Sequence, residues 1–404
     1  MSNFDKIKDF LTPKAQDAIS ELKEINTLLT EIRKTGNALS QSELERIGSK
    51  AFTAANRYGK AAAEYLEAAQ EAAAAGYGNA ADIAELSLAA QNAGGITAEL
   101  AGQYINATDR AYQLGGSIRE LTEILDGANA ISINNAVDMA ELAEGMSIAG
   151  GYAAALGLES DEATAALAAI ISATGQSGSE AAESLKAILS LIQQVTDENQ
   201  GIDGAGIAKY ANSCRALGVT LKETRNGITS LREPMDVLKD LAEAYTHLTP
   251  GDTRGTDLLA SLGSTQSADA LSALLGDYDM YEKILQDYAD GTGTMAAQAE
   301  LSANSWEGAL SRLSNTWTDT MGNLVSSDAA IAAIDSLNGI LSVVKKLTEF
   351  LGPLTTVGIG IGLAAGIKNV GRAECQPSRR ICLQQCISYP KDKFSGIALC
   401  GTRN

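Results

Sequence analysis

Apolar residues along this chain recur every three or four positions over most of its length and almost nowhere alternate with polar ones. That period predicts amphipathic helices rather than strands. Ile19, Leu22, Ile25, Leu28/Leu29 and Ile32 make the first stripe, and Gly36 stands where it should end. An alanine-rich helix is expected from Ser42 to Ala75, closed by Gly76-Tyr77-Gly78. From Asn79 to Ile118, short helices alternate with the breaks Gly94-Gly95 and Gly115-Gly116. The stretch around which the chain is organised is Leu121 to Ile192. Met139, Leu142 and Met146 carry a stripe expected to end near Gly150-Gly151. Ser160 followed by Asp161 and Glu162 offers an N-cap and an acidic first turn, and Gly175 a C-cap. Ser177 with Glu180 has capping-box spacing ahead of the stripe Leu185, Ile188, Leu189 and Ile192.

A polar, glycine-rich linker covers Asp197 to Gly206; no strand precedes it, so it lacks the context of a phosphate-cradling loop. The interlude Gly218 to Thr220 with Asn226-Gly227 signals a small hairpin. Leu238, Leu241, Tyr245 and Leu248 then share one helix face. Leu271, Leu274, Tyr278, Tyr281, Leu285 and Tyr288 follow a 3-4-3-4-3 spacing, which predicts one coiled-coil-like seam with tyrosines at its wet edge. A second seam holds Ala303, Trp306, Leu310, Leu313, Trp317, Met321 and Leu324. Both tryptophans of the chain lie on it, and Trp306, Leu310, Leu313 and Trp317 are the candidate helix-packing residues. Another amphipathic helix carries Ile334, Leu337, Leu341, Val344 and Leu347. The 18 residues Phe350 to Ile367 carry no charge, close to the roughly 20 that a membrane-crossing helix needs. Gly358, Gly362 and Gly366 fall on one face of that segment and would let a second helix approach closely. Two readings stay open for it: a transmembrane helix, or a buried glycine-rich segment within an assembly.

Composition sharpens this picture. Aromatic residues are 5% of the 404, and alanine dominates the apolar content, so long, thinly packed helices are expected. A formal charge of −19 argues against nucleic-acid binding, which needs clustered cations. The N-terminal stretch has no apolar core of the kind a signal peptide carries. Without a secretion signal, Asn106-Ala107-Thr108 is not expected to be a glycosylation acceptor. His247 is the only histidine, so zinc-peptidase ligation has too few ligands. A Cys-His nucleophile pair would have to use Cys214 or a tail cysteine, with no supporting motif. A carboxylate pair is not excluded by counting. No catalytic, cofactor or metal residue is assigned. Composition changes abruptly near Arg372: the remaining residues hold four of the five cysteines and six basic side chains against two acidic ones. Cys375, Cys382, Cys386 and Cys400 lack the paired CxxC spacing of a zinc site. This tail is expected to be disordered and foreign to the rest, for example a shifted reading frame.

Three ordered blocks closely resemble the tail tape-measure proteins of long-tailed bacteriophages and prophages: Leu125 to Gly145, Ala153 to Ile170, and Thr174 to Leu189. Flanking blocks between residues 60 and 372 are similar to the same family. The resemblance implies an all-α fold of elongated amphipathic helices and helical hairpins. Its expected parts are a helical lead (1–78), a core helical domain (79–250), a coiled-coil-like region (251–327), an amphipathic helix with the apolar segment (328–371), and the cysteine tail (372–404). The implied role is a structural scaffold that sets tail length, because a helix rising about 1.5 Å per residue converts residue count into distance. At that rise 404 residues give a ceiling of roughly 600 Å, short for the family, so a truncated gene product is expected. Implied partners are the tail tube protein, tail assembly chaperones, further copies of the chain, and the host membrane during DNA ejection through 350–367. The implied location is the bacterial cytoplasm during assembly and then the lumen of the virion tail. A different class also fits: a secreted or pore-forming helical effector, suggested by the apolar segment and by Trp306-Glu307-Gly308. That triplet matches the turn motif of small secreted helical hairpins, although here the 3–4 spacing runs straight through it.

Overall fold

A computed structural model of the chain describes residues 3–36, 39–194, 204–225, 228–249 and 251–325. Sixteen helices and one hairpin make up those residues. In order they are α1 (Asn3–Thr35), α2 (Gln41–Tyr58), α3 (Ala62–Ala75), α4 (Ala80–Gly94), α5 (Ala98–Tyr112), α6 (Ile118–Asn134), α7 (Met139–Ala155), α8 (Ser160–Thr174), α9 (Gly178–Gln194) and α10 (Gly204–Ala216). Strands β1 (Lys222–Arg225) and β2 (Ile228–Leu231) follow, then α11 (Pro234–Thr246), α12 (Thr253–Ala260), α13 (Thr265–Gly276), α14 (Tyr278–Ala289), α15 (Thr294–Ala303) and α16 (Trp306–Val325). The strands pair antiparallel, Lys222 opposite Leu231 and Arg225 opposite Ile228, two residues beyond the interlude read from sequence. The described fold is therefore all-α with one small hairpin.

Local chemistry explains most boundaries. The Ser177–Glu180 capping box is present: Ser177 N–H donates to Glu180 Oε2 at 3.0 Å, and Glu180 N–H to Ser177 Oγ at 3.3 Å. Ser177 N–H and then its hydroxyl, each donating to Glu180 Oε2 at 3.0 Å, hold the exposed Glu180 carboxyl below its ordinary range. Gly175 ends α8 at φ 69°, as its position predicts. The start of α8 differs by one residue. Glu159 is the N-cap, and Ser160 enters the first turn, its Oγ 3.3 Å from the Tyr288 hydroxyl. Helix α7 does not stop at Gly150-Gly151 but runs to Ala155, since glycine weakens a helix without ending it unless the backbone turns left-handed there.

Two long elements are broken where the periodicity is continuous. The helix expected from Ser42 to Ala75 is two helices, α2 and α3, turned at Gly59 (φ 63°), where Lys60 N–H reaches back to Ala55 O at 2.9 Å. The seam from Leu271 to Tyr288 is likewise not one coiled coil. Asp277 leaves the helical conformation, and its carboxylate accepts from Met280 N–H at 3.1 Å, starting α14 as a separate rod. Nor are the tyrosines at a wet edge. Tyr281 is buried, Tyr278 stacks on it at 5.0 Å and donates to Met235 O at 3.2 Å. Burial foremost pushes both hydroxyls well above the ordinary tyrosine range. With so much alanine elsewhere, these rings supply the large apolar surface that the core otherwise lacks.

One cluster of buried side chains runs from Ile25 to Met295, across both of the expected divisions, 78/79 and 250/251. Its centre is α8, whose Ala163 to Ile171 are all buried, flanked by α6, α7, α9, α13 and α14. Thr108, in the Asn106-Ala107-Thr108 triplet, is buried on α5. A close interlock joins the second half of the described chain to the first. Asp126, buried on α6, accepts from Gly293 N–H at 2.8 Å and Met295 N–H at 2.9 Å, while its own carbonyl accepts from Thr294 Oγ1 at 2.8 Å. Helix α15 has Gly293 at its N-cap and so no side chain of its own to do this. The approach is tight: a Cβ on Gly291 would stand 2.7 Å from Asp126 O, and one on Gly127 2.6 Å from the Tyr288 ring.

Replacing Asp126 by alanine should therefore cost on the order of 3 kcal/mol in a urea unfolding series, since two N–H groups lose a charged acceptor. Gly291→Ala should be comparably harmful because the clash is with backbone. Equal midpoints for wild type and both variants would contradict this interlock.

Candidate functional site

The candidate site follows from how α16 is attached. Its inward face is made of small and polar residues. At Gly308 and Gly59 the two backbones nearly touch: a Cβ on Gly59 would stand 2.6 Å from Gly308 Cα. Asn315, 0% exposed, sits against the corner between α2 and α3. Its Nδ2 donates to Lys60 O at 2.7 Å and to Asn56 Oδ1 at 2.9 Å, and its Oδ1 accepts from Ala62 N–H at 3.2 Å. The physical demand is plain. Ala61 occupies the N-cap of α3, and alanine has no acceptor for the orphaned N–H groups there. Glu64 covers one, accepting from Ala61 N–H at 3.0 Å, and Asn315 supplies the next from 253 residues away. One turn on, buried Thr318 donates through Oγ1 to Glu21 Oε2 at 2.6 Å.

With this face turned to the core, the apolar stripe of α16 is turned away from it. Leu310 is 49% exposed and Leu313 64%; Trp317 is half-buried. Of the seam residues Leu310 and Leu313 are not sealed against the rest of the described chain, and the side chain of Trp306 lies outside what is described. Sequence reading missed Asn315 and Asp126. The signal for the first was an alanine at a helix start just after Gly59-Lys60, which requires an acceptor from elsewhere. Gly358, Gly362 and Gly366, with the whole segment 350–367, lie outside the described residues. So do residues 197–203 of the linker expected at Asp197 to Gly206, the turn Asn226-Gly227, the amphipathic stretch 328–347 and the cysteine tail; Gly204 to Gly206, expected in that linker, instead open α10. Among the described residues no helix is long and apolar enough to cross a membrane.

Next to α16, an open cleft of about 1030 Å³ is lined by Arg57, Asp82, Glu85, Ile118, Glu300 and Arg312, among others. Its charges are largely paired within the protein. Lys50 bridges Asp82 (3.2 Å) and Glu85 (3.0 Å), Arg46 reaches Asp82 at 2.8 Å, and Arg57 reaches Glu85 at 2.7 Å. Partial burial raises the Asp82 carboxyl, yet the hydrogen bonds from Arg46 and Lys50 outweigh it and leave Asp82 below its ordinary range. A carboxylate held ionised this way is no general acid. Cys214 is buried beside Tyr210, and burial foremost pushes its thiol up to about 12, so it stays protonated at neutral pH. His247 is exposed at the C-terminal end of α11, its Nδ1 2.6 Å from Glu243 O. Among the described residues no group of three or more His, Cys, Asp or Glu side chains is placed to hold a metal.

A family model described as phage-related minor tail protein matches residues 49–276, from within α2 to the last residue of α13. No curated protein and no solved structure matches the chain. Helices α14, α15 and α16 lie beyond the matched span, yet the Asp126 interlock and the Asn315 contacts tie them into the same body.

Two measurements check the electrostatics and the attachment of α16. Asn315→Ala should cost about 2 kcal/mol, because it leaves backbone groups at the α2–α3 corner unsatisfied in a buried place; an unchanged urea midpoint would refute the role. On the α3 surface, burial foremost, then neighbouring acids, raise the carboxyls of Glu67 and Glu71 above their ordinary range. The folded state therefore holds these protons more tightly than the unfolded one. Their contribution is complete below the unfolded value near ~4.3 and is lost as pH rises through the raised values. Glu67→Gln with Glu71→Gln should raise the urea midpoint at pH 7 and flatten its rise as pH falls toward ~4.5.

Proposed function

The chain belongs to the phage-related minor tail protein family, and from that premise we propose that it is a tape-measure-type scaffold of the phage tail, structural rather than catalytic. The observation that carries this reading is the match over a core made almost wholly of helices, combined with the ordered sequence blocks between Leu125 and Leu189. In this reading the core is a folded station along the scaffold, and rod-like helices such as the 33-residue α1 convert residue number into tail length. The tail tube protein and tail assembly chaperones are the proposed partners, in the cytoplasm during assembly and in the tail lumen afterwards. Copies of the chain are proposed to associate there. The uncharged segment 350–367 is proposed to enter the host membrane when DNA is ejected, with Gly358, Gly362 and Gly366 as the face for helix contact.

The test is genetic and metric. Adding three heptads after Thr35 should lengthen tails by about 32 Å in electron micrographs, and removing the same number should shorten them equally. Tails of unchanged length would sink the measuring role while leaving family membership intact. The intact chain should release dye from liposomes, and deleting 350–367 should abolish that release.

A further inference from the structure

The helices after α13 are held to the body by different means. Helix α14 sets Tyr281 and Ile284 into the core, and α15 sets Met295 there and is capped by Asp126. Among the described residues, the core cluster and the partly buried side chains packed on it have no member in α16. The fully buried residues described on α16 are Gly308, Asn315 and Thr318, with Ser311 half-buried between them. Their 3-4-3 spacing puts all four on one face, so the docked stripe of this helix is small and polar. Its described anchors are hydrogen bonds: Asn315 to Lys60 O, Asn56 Oδ1 and Ala62 N–H, and Thr318 to Glu21 Oε2.

Anchoring of this kind is cheap to undo. A buried apolar face resists separation because its area returns to water, whereas hydrogen-bonded groups regain partners from water as they part, so each bond nets little. The Ala62 N–H and the Lys60 carbonyl are costly only while they stay buried and unpaired. Release of the whole helix wets them. The start of α16 does not depend on the α2–α3 corner either, since Gly308 N–H donates to Ser305 Oγ at 3.2 Å. Asn304 and Ser305, the two residues between α15 and α16, are exposed and can absorb a hinge rotation without disturbing the core. We propose that α16 is a releasable strap: it leaves the α2–α3 corner as one unit, far more often than the core opens, while α15 stays pinned through Asp126. Release uncovers Asn56 Oδ1, Lys60 O and Ala62 N–H together. This inference rests on the contacts of α16, independently of the tape-measure reading.

The test is native-state hydrogen exchange on the full chain, in urea below the unfolding range, read over residues 164–171 of α8, 281–288 of α14 and 310–319 of α16. A free 20-residue helix is marginal in water, so its amides exchange once it is released. The α16 amides should share one protection factor, about 100-fold or more below that of α8, with a urea slope well under half of the α8 slope because little surface opens with them. Helix α14 should follow α8. Equal protection and slope in α16 and α8 would show that α16 opens only with the core, and would overturn the strap. So would a residue-by-residue decline with no urea slope, which is fraying, or a shared small slope in α14. A tether then separates release from any other local opening. With Cys375, Cys382, Cys386 and Cys400 replaced by serine, Asn56→Cys and Asn315→Cys are joined by a short bismaleimide; Cys214 is buried and its thiol stays protonated. The untethered double variant is the reference, because the substitutions themselves weaken docking. Tethering should raise α16 protection by about 100-fold or more over that reference, and no rise would overturn the proposal.

Discussion

The fold depends on one constraint: the first N–H groups and last C=O groups of every helix need partners, and a chain of many short helices has many such ends. Where a local side chain serves, as at Ser40, Thr97 and Ser177, the boundary is self-contained. Where the local residue is alanine or glycine, a distant side chain stands in. Asn315 does this for Ala62, and Asp126 for Gly293 and Met295. These bonds make helices beyond the family-matched span integral to the body. They tie late elements to early ones by capping as well as by apolar contact.

The alanine-rich interior sets the second condition. A buried alanine removes little apolar area from water, so stability has to come from close approach over many residues and from the few large side chains present. Glycines at contact points permit that approach, as where Gly178 meets the backbone of Glu141. Tyrosines fill the larger gaps: Tyr65, Tyr104 and Tyr210 are fully buried, and Tyr288 lies across Gly127. Such a core tolerates little movement at its glycines.

The attachment of α16 shows how packing can invert the usual reading of an amphipathic helix. An apolar stripe ordinarily faces inward. Here the inward face carries Gly308, Asn315 and Thr318, because the α2–α3 corner needs an amide and the backbones need to approach closely. The leucines of the same helix are left outside, available to another helix. The free-energy balance is local: buried orphan N–H groups cost more than partial exposure of two leucines.

Helical class, the capping box at Ser177, the C-cap at Gly175 and the hairpin signal at Asn226-Gly227 were set by sequence alone, because each depends on residues within about one turn of each other. A relationship to phage tail proteins was legible for the same reason, through short ordered blocks. Continuity was not. The spacing from Leu271 to Tyr288 stays regular through Asp277, and the alanine run stays regular through Gly59, so only the backbone path shows that each is two helices. Nor could sequence say which side of α16 faces inward. That choice follows from the Ala62 N–H, whose acceptor is Asn315, 253 residues away, and periodicity carries no information about partners so far apart.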